Sequence, residues 1–587
     1  MSDIKKLKVK INGILVEVPQ GSTILDASVA AGIRIPTLCY LKDINVIGSC
    51  RMCLCEVKGA RAWCAACVYP VEENRDGTPM EVLTNTPAII ESRRKTLELI
   101  LSNHRSDCLS CVRNTNCELQ NLCNEYGVDQ HKYKNSSRVP EIDDSAIHLT
   151  RDNSKCILCR RCVAVCRKNQ YVGVIGANER GYNTHISSAF DAPLADTSCI
   201  HCGQCIAVCP TGALAERDDT DKVWAAINDP AKHVVVAPAP SVRVQLGECF
   251  GMPVGVNVEG KMIAALKRLN FDKVFDVDTA ADLTIMEEGT ELLDRLKNGG
   301  KLPIITSCSP GWIKFCETYY PEFLENLSTC KSPQGMFGAI VKSYYAEKAG
   351  IDPKDIFVVS IMPCTAKKFE AQRHQLGRDG VPDVDVSLTT RELAAMIKRA
   401  GIEFTSLPDE KADPVFGIAS GAGHIFGATG GVMEAALRTV YEVVTGKALE
   451  KIEFEAVRGL KDIREAEYDL DGVIVRAAVT SGTANAAKLL DMVKSGEKDY
   501  TFIEIMCCPG GCVNGGGQPH QPGYIMNNKN LRAERANALY SQDGGMELRK
   551  SHENPCIKEL YENYLGEPYS HKAHELLHTT FEKRSVY

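Results

Sequence analysis

Two runs of identical spacing constrain this chain most. CILCRRCVAVC carries Cys156, Cys159, Cys162 and Cys166, and CIHCGQCIAVCP carries Cys199, Cys202, Cys205 and Cys209, followed by Pro210. Each reads C-x2-C-x2-C-x3-C. Thiolates at this spacing converge on one metal centre, and the run-on pattern suits an iron–sulfur cubane better than a zinc site. The chain has 27 cysteines in 587 residues, most of them in such tight groups. The N-terminus, MSDIKKLKVKINGILVEVPQG, lacks the continuous apolar segment of an export signal. Structural disulfides, which need an oxidising compartment, are therefore not expected. No apolar run reaches transmembrane length, and a net charge of −7 gives no reason to expect nucleic-acid binding. The expectation is a soluble, cytoplasmic redox protein of several domains, with neither membrane nor nucleic acid as partner.

The doubled run resembles the bacterial two-cluster ferredoxins. There the fourth cysteine of each run ligates the other cluster. One [4Fe-4S] cluster is thus expected on Cys156, Cys159, Cys162 and Cys209, the other on Cys199, Cys202, Cys205 and Cys166.

Upstream, LKVKINGILVEVP (7–19) alternates like a hairpin, and a short helix is expected near Thr23 to Ala31. Cys39, Cys50 and Cys53 follow, with Cys64 and Cys67 further on. A long gap, a C-x-x-C pair and a lone distal cysteine are like a ferredoxin-type [2Fe-2S] site. Spacing alone permits either Cys64 or Cys67 as fourth ligand, and Cys55 is surplus. The stretch ESRRKTLELILSNH reads as a helix ending at His104, ahead of Cys108, Cys111 and Cys117. A histidine four residues before a C-x-x-C is close enough to complete a four-ligand set. Cys123 reads as a buried thiol, and the polar segment 126–153 as a connection. Both N-terminal patterns resemble domains shared by the large iron–sulfur subunit of respiratory complex I and the iron-only hydrogenases. That resemblance favours Cys67 as the fourth [2Fe-2S] ligand, and implies a [4Fe-4S] cluster on His104, Cys108, Cys111 and Cys117.

From about residue 225 strands alternate with amphipathic helices, as in an α/β architecture with mainly parallel strands. Three strand-to-loop segments carry cysteines: LPIITSCSPGW, IFVVSIMPCTAKKFE and YTFIEIMCCPGGCVNGGGQP. Open α/β sheets bind ligands at the carboxyl ends of their strands, so the three loops can converge on one buried site. GAGHIFGATGG (421–431) is not a G-x-G-x-x-G and is read as packing near that site. Residues beyond about 525 are charged and helical, and a surface cap is expected there, with Cys556 incidental.

The loops TSCSPGW (306–312), MPCTAKKFE (362–370) and EIMCCPGGCVNGGGQP (504–519) resemble the signature motifs of iron-only ([FeFe]) hydrogenases. With the N-terminal domains, the resemblance spans almost the whole chain and is similar in layout to the catalytic subunit of multimeric NAD(P)-linked hydrogenases. It implies an H-cluster: a [4Fe-4S] cubane bridged to a di-iron subcluster carrying CO, cyanide and an azadithiolate. By motif position Cys364, Cys508 and Cys512 are cubane ligands, with Cys512 the bridge. Cys308 takes the proton from the azadithiolate amine, and the route continues through Glu288, Ser328, Glu291 and Arg295. Lys367 would hydrogen-bond a cyanide, Met362 and Met506 would pack on the subcluster, and Ser241 and Gln334 would line its pocket. The family's first loop usually reads T-S-C-C-P, and Ser309 stands where its cubane ligand is expected. Cys507 stands where the family usually has alanine. Three ligand sets stay open: Cys507 supplies the missing thiolate, Ser309 ligates as an alkoxide, or the cubane keeps three protein thiolates.

The expected layout is an α+β modular chain. Its parts are a β-grasp [2Fe-2S] domain (1–80), a small His/Cys [4Fe-4S] domain (81–140), a two-[4Fe-4S] ferredoxin-like domain (141–220), a two-lobed α/β hydrogenase domain (221–525) and a helical cap (526–587). The implied activity is reversible H2 oxidation, with electrons passing to ferredoxin or to a flavin-containing NAD(P)-binding subunit, and with hydrogenase maturation proteins as further partners. One alternative is the iron–sulfur subunit of a complex I-like enzyme or formate dehydrogenase, which leaves the three C-terminal loops unexplained. Another is a hydrogenase-like iron–sulfur sensor or cluster-assembly protein.

Overall fold

Asn12 and Gly13 both adopt positive φ, 50° and 88°, the conformation a two-residue hairpin turn demands. The turn joins strands Lys6–Ile11 and Ile14–Pro19 in the antiparallel register Val9↔Val16. The computed structural model describes residues 5–130, 132–133, 142–449, 451–470 and 472–586. The connection expected over 126–153 lies partly outside them. Strand Met80–Leu83 joins the hairpin in parallel, and Leu54–Val57 and Cys64–Ala65 complete a five-stranded sheet. Helix Ile24–Ala30 packs on it, started by a capping box between Thr23 and Asp26. A mixed sheet with one packed helix fits the expected β-grasp fold.

Helix Pro87–Leu101 follows, with the Thr86 hydroxyl accepting from the Ile89 amide. It stops at Leu101 and not at His104, so His104 sits on the loop that also carries Cys108 and Cys111. The next domain repeats itself. Leu158 and Arg160 in the first cysteine run, and His201 and Gly203 in the second, all have positive φ between 54° and 65°. Such left-handed residues curl each loop so that successive thiols face inward. Each loop then feeds a short helix, Arg161–Lys168 or Gln204–Ala207, and strands Leu149–Arg151 and Leu214–Glu216 pair to close the unit.

The C-terminal half has two lobes. Strands Lys273–Val274, His233–Pro238, Ile356–Met362 and Val386–Thr389 form an all-parallel sheet. Strands Ile304–Ile305, Phe502–Met506 and Val473–Ser481 form the parallel part of a second sheet, and Ile463–Leu470 pairs antiparallel at its edge. Strands Ile356–Met362 and Phe502–Met506 are buried along nearly their full length, as parallel strands between helical layers must be. Helix Val277–Asn298 packs on helices Pro333–Ile340 and Gly431–Thr445.

The C-terminal segment is not the surface cap its charge suggests. Ile557, Leu560, Tyr561, Leu565, Ala573, Leu576 and Leu577 belong to the same core as strand His233–Pro238. Its charged residues point outward from helices whose other face is apolar, and average composition hides that face. No described helix is long and apolar enough to cross a membrane.

Candidate metal centres and active site

All 27 cysteines are free thiols, and the structure gathers them much as their spacing predicts. In the first domain Cys53 Sγ and Cys67 Sγ lie 3.4 Å apart, and Cys39 and Cys50 are in mutual contact beside them. Cys64 is drawn elsewhere: it faces Cys55 across the antiparallel strand pair. Cys67 is thus the residue brought to the other three. In the second domain the His104 Nδ1 is buried with no hydrogen-bond partner among the described residues. Burial lowers its pKa to about 4, which keeps the imidazole neutral and able to donate a lone pair. Cys108 and Cys117 each lie near Cys111. In the third domain Cys156, Cys159, Cys162 and Cys209 line one small cavity. Cys205 neighbours Cys202, Cys199 and Cys166. Cys209 thus lies with the first three thiols of the first run, and Cys166 with those of the second.

The three catalytic-domain loops leave the strands at the ends Ile305, Met362 and Met506 and meet between the lobes. They enclose a cavity lined by six cysteines: Cys202, Cys308, Cys364, Cys507, Cys508 and Cys512. Ser241, Ser309, Gln334, Met362, Lys367 and Met506 also line it, as do Phe426 and Gly427 from the 421–431 loop. That loop packs against the site as expected. The Ser241 hydroxyl is fully buried without a hydrogen-bond partner among the described residues. Burial pushes the Cys364 thiol well up, with Cys508 and Cys512 adding to the rise, and pushes Cys512 up to about 12. Crowded buried thiols of this kind carry charge only when cations compensate it. An orphaned hydroxyl and a crowd of soft donors around one cavity fit an iron–sulfur group bound there.

Lys367 Nζ donates to Glu370 Oε2 (2.8 Å), Ser332 Oγ (2.7 Å) and the Cys308 carbonyl (3.2 Å). Glu370 was not among the predicted residues although it closes the MPCTAKKFE motif. It holds the ammonium at the cavity wall and also accepts from Gln334 Nε2 at 3.1 Å. Gln334 spends its carbonyl oxygen on Ser360 (2.7 Å) and Ser387 (3.3 Å), so its amide is fixed within the wall.

Behind Cys308 a polar chain crosses the lobe. Burial raises the Cys308 thiol well above its usual range, and the nearby Glu288 carboxylate raises it further. Burial, reinforced by Glu291, raises Glu288 to about 8. Ser328 contacts Glu288 and donates to Glu291 Oε2 at 2.9 Å. Arg295 donates to Glu291 Oε1 at 2.6 Å and reaches the loop carbonyl of Leu327 at 2.7 Å near the surface. Glu288, Glu291 and Arg295 share one face of helix Val277–Asn298, as their spacing requires. Two further groups join this region: Cys330 Sγ lies 3.7 Å from Glu291, and His578 from the C-terminal segment lies 3.1 Å from Glu287. No local motif marked either one.

The ferredoxin-like domain docks on the cavity at very short range. The Thr365 hydroxyl donates to the His201 carbonyl at 2.7 Å, and Gln204 Nε2 to the Asn514 carbonyl at 2.7 Å. Gly203 and Gly516 make the approach possible. A Cβ on Gly516 would fall 2.2 Å from the Cys202 carbonyl oxygen, and one on Gly203 would fall 2.3 Å from Thr365 Oγ1.

Comparison with known proteins follows the same divisions. The profile of the iron-only hydrogenase large subunit, C-terminal domain, matches residues 232–516. That of the iron hydrogenase small subunit matches 529–584. A 2Fe-2S iron–sulfur cluster binding domain matches 5–86, the NADH-ubiquinone oxidoreductase-G iron–sulfur binding region 93–132, and a 4Fe-4S dicluster domain 155–213. The chain is 48% identical to the NADP-reducing hydrogenase subunit HndD of Solidesulfovibrio fructosivorans, over 98% of this chain and 99% of that one. It is 44% identical to iron hydrogenase 1 of Clostridium pasteurianum, with the same coverage. Among solved structures, a variant of the [FeFe]-hydrogenase HydA1 from Chlamydomonas reinhardtii is 44% identical. It covers 62% of this chain and 98% of its own, with a TM-score of 0.56.

Proposed function

The chain belongs to the iron-only ([FeFe]) hydrogenases, and from that premise we propose how its residues divide the work of reversible H2 oxidation. The observation that carries the reading is the convergence of three cysteine loops, Lys367 and a buried acidic chain on one cavity. Cys364, Cys508 and Cys512 would hold the cubane, with Cys512 the thiolate it would share with the di-iron subcluster. When bound, the H-cluster supplies the heterolytic chemistry of H2 and exchanges electrons with the nearest iron–sulfur cluster. Lys367, anchored by Glu370 and Ser332, presents its ammonium to an anionic diatomic ligand. Ser241 offers its unspent hydroxyl to the same group, while Met362 and Met506 keep water away from it.

Cys308 moves the proton between the cavity and Glu288. Its thiol is neutral and the thiolate is disfavoured by burial, so Sγ takes up one proton as it passes its own on, and no buried charge is left behind. Glu288, with a pKa of about 8, holds its proton at neutral pH and releases it at small cost, as a relay should. The Ser328 hydroxyl passes it to Glu291, and Arg295 steadies the Glu291 carboxylate at the exit.

The cofactor set is one [2Fe-2S] cluster, three accessory [4Fe-4S] clusters and the H-cluster, about 20 iron per chain. The ligand sets are those gathered above, with Cys67 and His104 completing theirs. The cluster held by the Cys202 set would be the accessory cluster nearest the cubane and would connect it to the remaining ones. HndD is named as a subunit of an NADP-reducing hydrogenase. By analogy this chain works beside flavin-containing NAD(P)-binding subunits, or with ferredoxin, in the cytoplasm. Co-expression with hydrogenase maturation proteins, followed by H2 evolution from reduced viologen and infrared spectroscopy, tests the assignment. Bands from iron-bound CO and cyanide are expected. Their absence after full maturation would reject an H-cluster on these residues.

A further inference from the structure

Six cysteines line the catalytic cavity. Cys308 belongs to the proton path, and Cys202 is itself one of the four members of a ferredoxin-like set, with Cys166, Cys199 and Cys205. Four thiols then remain for a four-iron cluster: Cys364, Cys507, Cys508 and Cys512. We propose that Cys507 is the fourth protein ligand of the catalytic cubane, carried on the strand-end loop and not on the loop of residue 309, where the usual motif has it. This rests on the H-cluster reading above and sharpens it.

Ser309 is the wrong donor in the wrong state. It is the N-cap residue of helix Pro310–Tyr319, and its Oγ accepts the backbone N–H of Cys507 at 3.2 Å. A serine hydroxyl must also lose a proton far less acidic than that of a thiol before it can bind iron. The contact nevertheless does structural work, since it ties the two loops together at the point where the ligand is missing.

Cys507 follows directly on strand Phe502–Met506 and is buried. Its Sγ lies over the 309–311 turn: a Cβ on Gly311 would stand 2.6 Å from that sulfur. Gly311 is therefore the residue that leaves room for the thiol. The sulfur faces the thiols of both Cys508 and Cys202. A thiol absent from one wall of the cavity is thus returned from the adjacent wall, beside the 309–311 turn where it was lost. Cluster binding displaces its proton to solvent, as for any thiolate ligand. The same placement sets a cubane ligand beside a ligand of the neighbouring accessory cluster.

The test uses the full chain made without maturation proteins and reconstituted with iron and sulfide, so that cubane assembly is read apart from activity. Wild type should hold about 18 iron, one [2Fe-2S] and four [4Fe-4S] clusters. Cys507→Ala should lose about four of them together with the cubane's electron paramagnetic resonance signal. Ser309→Ala should keep both. Cys507→Ala combined with Ser309→Cys should regain them by restoring the usual motif. If Cys507→Ala fails to fold, Cys507→Ser keeps the side-chain volume and should still lose or visibly alter the cubane signal. The proposal is overturned by an unchanged cubane in the Cys507 variants, or by a loss that follows Ser309→Ala. A wild-type chain lacking the cubane signal altogether would instead reject the hydrogenase site on which the proposal rests.

Discussion

Glu288 offers a test in which stability and activity move in opposite directions. Its carboxyl is raised from the usual 4.5 to about 8, first by burial and then by Glu291. The sign follows directly. Below pH 4.5 the group is neutral in both folded and unfolded chains and contributes nothing. Between 4.5 and 8 the unfolded chain ionises while the folded one stays neutral, so folding stability falls as pH rises. Above 8 the full cost is present. The gap corresponds to roughly 5 kcal/mol at about 1.36 kcal/mol per pH unit. Glu288→Gln cannot ionise and removes this term. Anaerobic thermal unfolding of wild type and variant at pH 5, 7 and 9 should show the variant gaining stability relative to wild type as pH rises. A glutamine cannot relay a proton, so H2 turnover in the same variant should fall by at least about 10²-fold. Unfolding curves that shift in parallel across this range would refute the buried, proton-holding carboxyl. Near-normal turnover would refute the relay.

Other outcomes follow from single contacts. Ser328→Ala removes the hydroxyl between Glu288 and Glu291 and should slow turnover without changing the cubane's spectrum or iron content. His104→Cys replaces a neutral ligand with a thiolate, so one accessory cluster should keep its iron but show a lower midpoint potential in a redox titration. Gly516→Ala puts a methyl 2.2 Å from the Cys202 carbonyl oxygen. The two loops must part, and electron delivery through the accessory clusters should slow while the CO and cyanide bands persist. Leu577→Ala empties a fully buried site in the main core and should cost about 2–5 kcal/mol, read as earlier thermal unfolding.

The grouping of the thiols was legible because their spacing is a local property. A C-x2-C-x2-C run needs only left-handed residues at fixed positions to turn its thiols inward, and Leu158, Arg160, His201 and Gly203 supply them. The choice between Cys64 and Cys67 was not local. It depends on an antiparallel register that turns Cys64 toward Cys55. The polar chain behind Cys308 was legible in part, because Glu288, Glu291 and Arg295 share a helix face, whereas Cys330 and His578 reach it from distant segments. Glu370 closes the MPCTAKKFE motif, but its role exists only once Lys367 folds back onto it. The C-terminal segment was misjudged because its charges dominate its composition, while its contacts are made by one apolar face.

That segment carries a consequence of mass action. Residues 529–584 match a profile described as an iron hydrogenase small subunit, yet here they are covalently continuous with the catalytic lobes. Their helices fill the core beside strand His233–Pro238, Tyr561 hydrogen-bonds Glu287, and His578 lies 3.1 Å from the same carboxylate. A separate chain would leave this seat on dilution, taking with it groups that flank the proton path. A tethered one meets its seat at an effective concentration of order millimolar, whatever the protein concentration in the cell. Subunit exchange and dilution therefore cannot strip this flank of the catalytic lobe, and its integrity becomes a matter of folding alone.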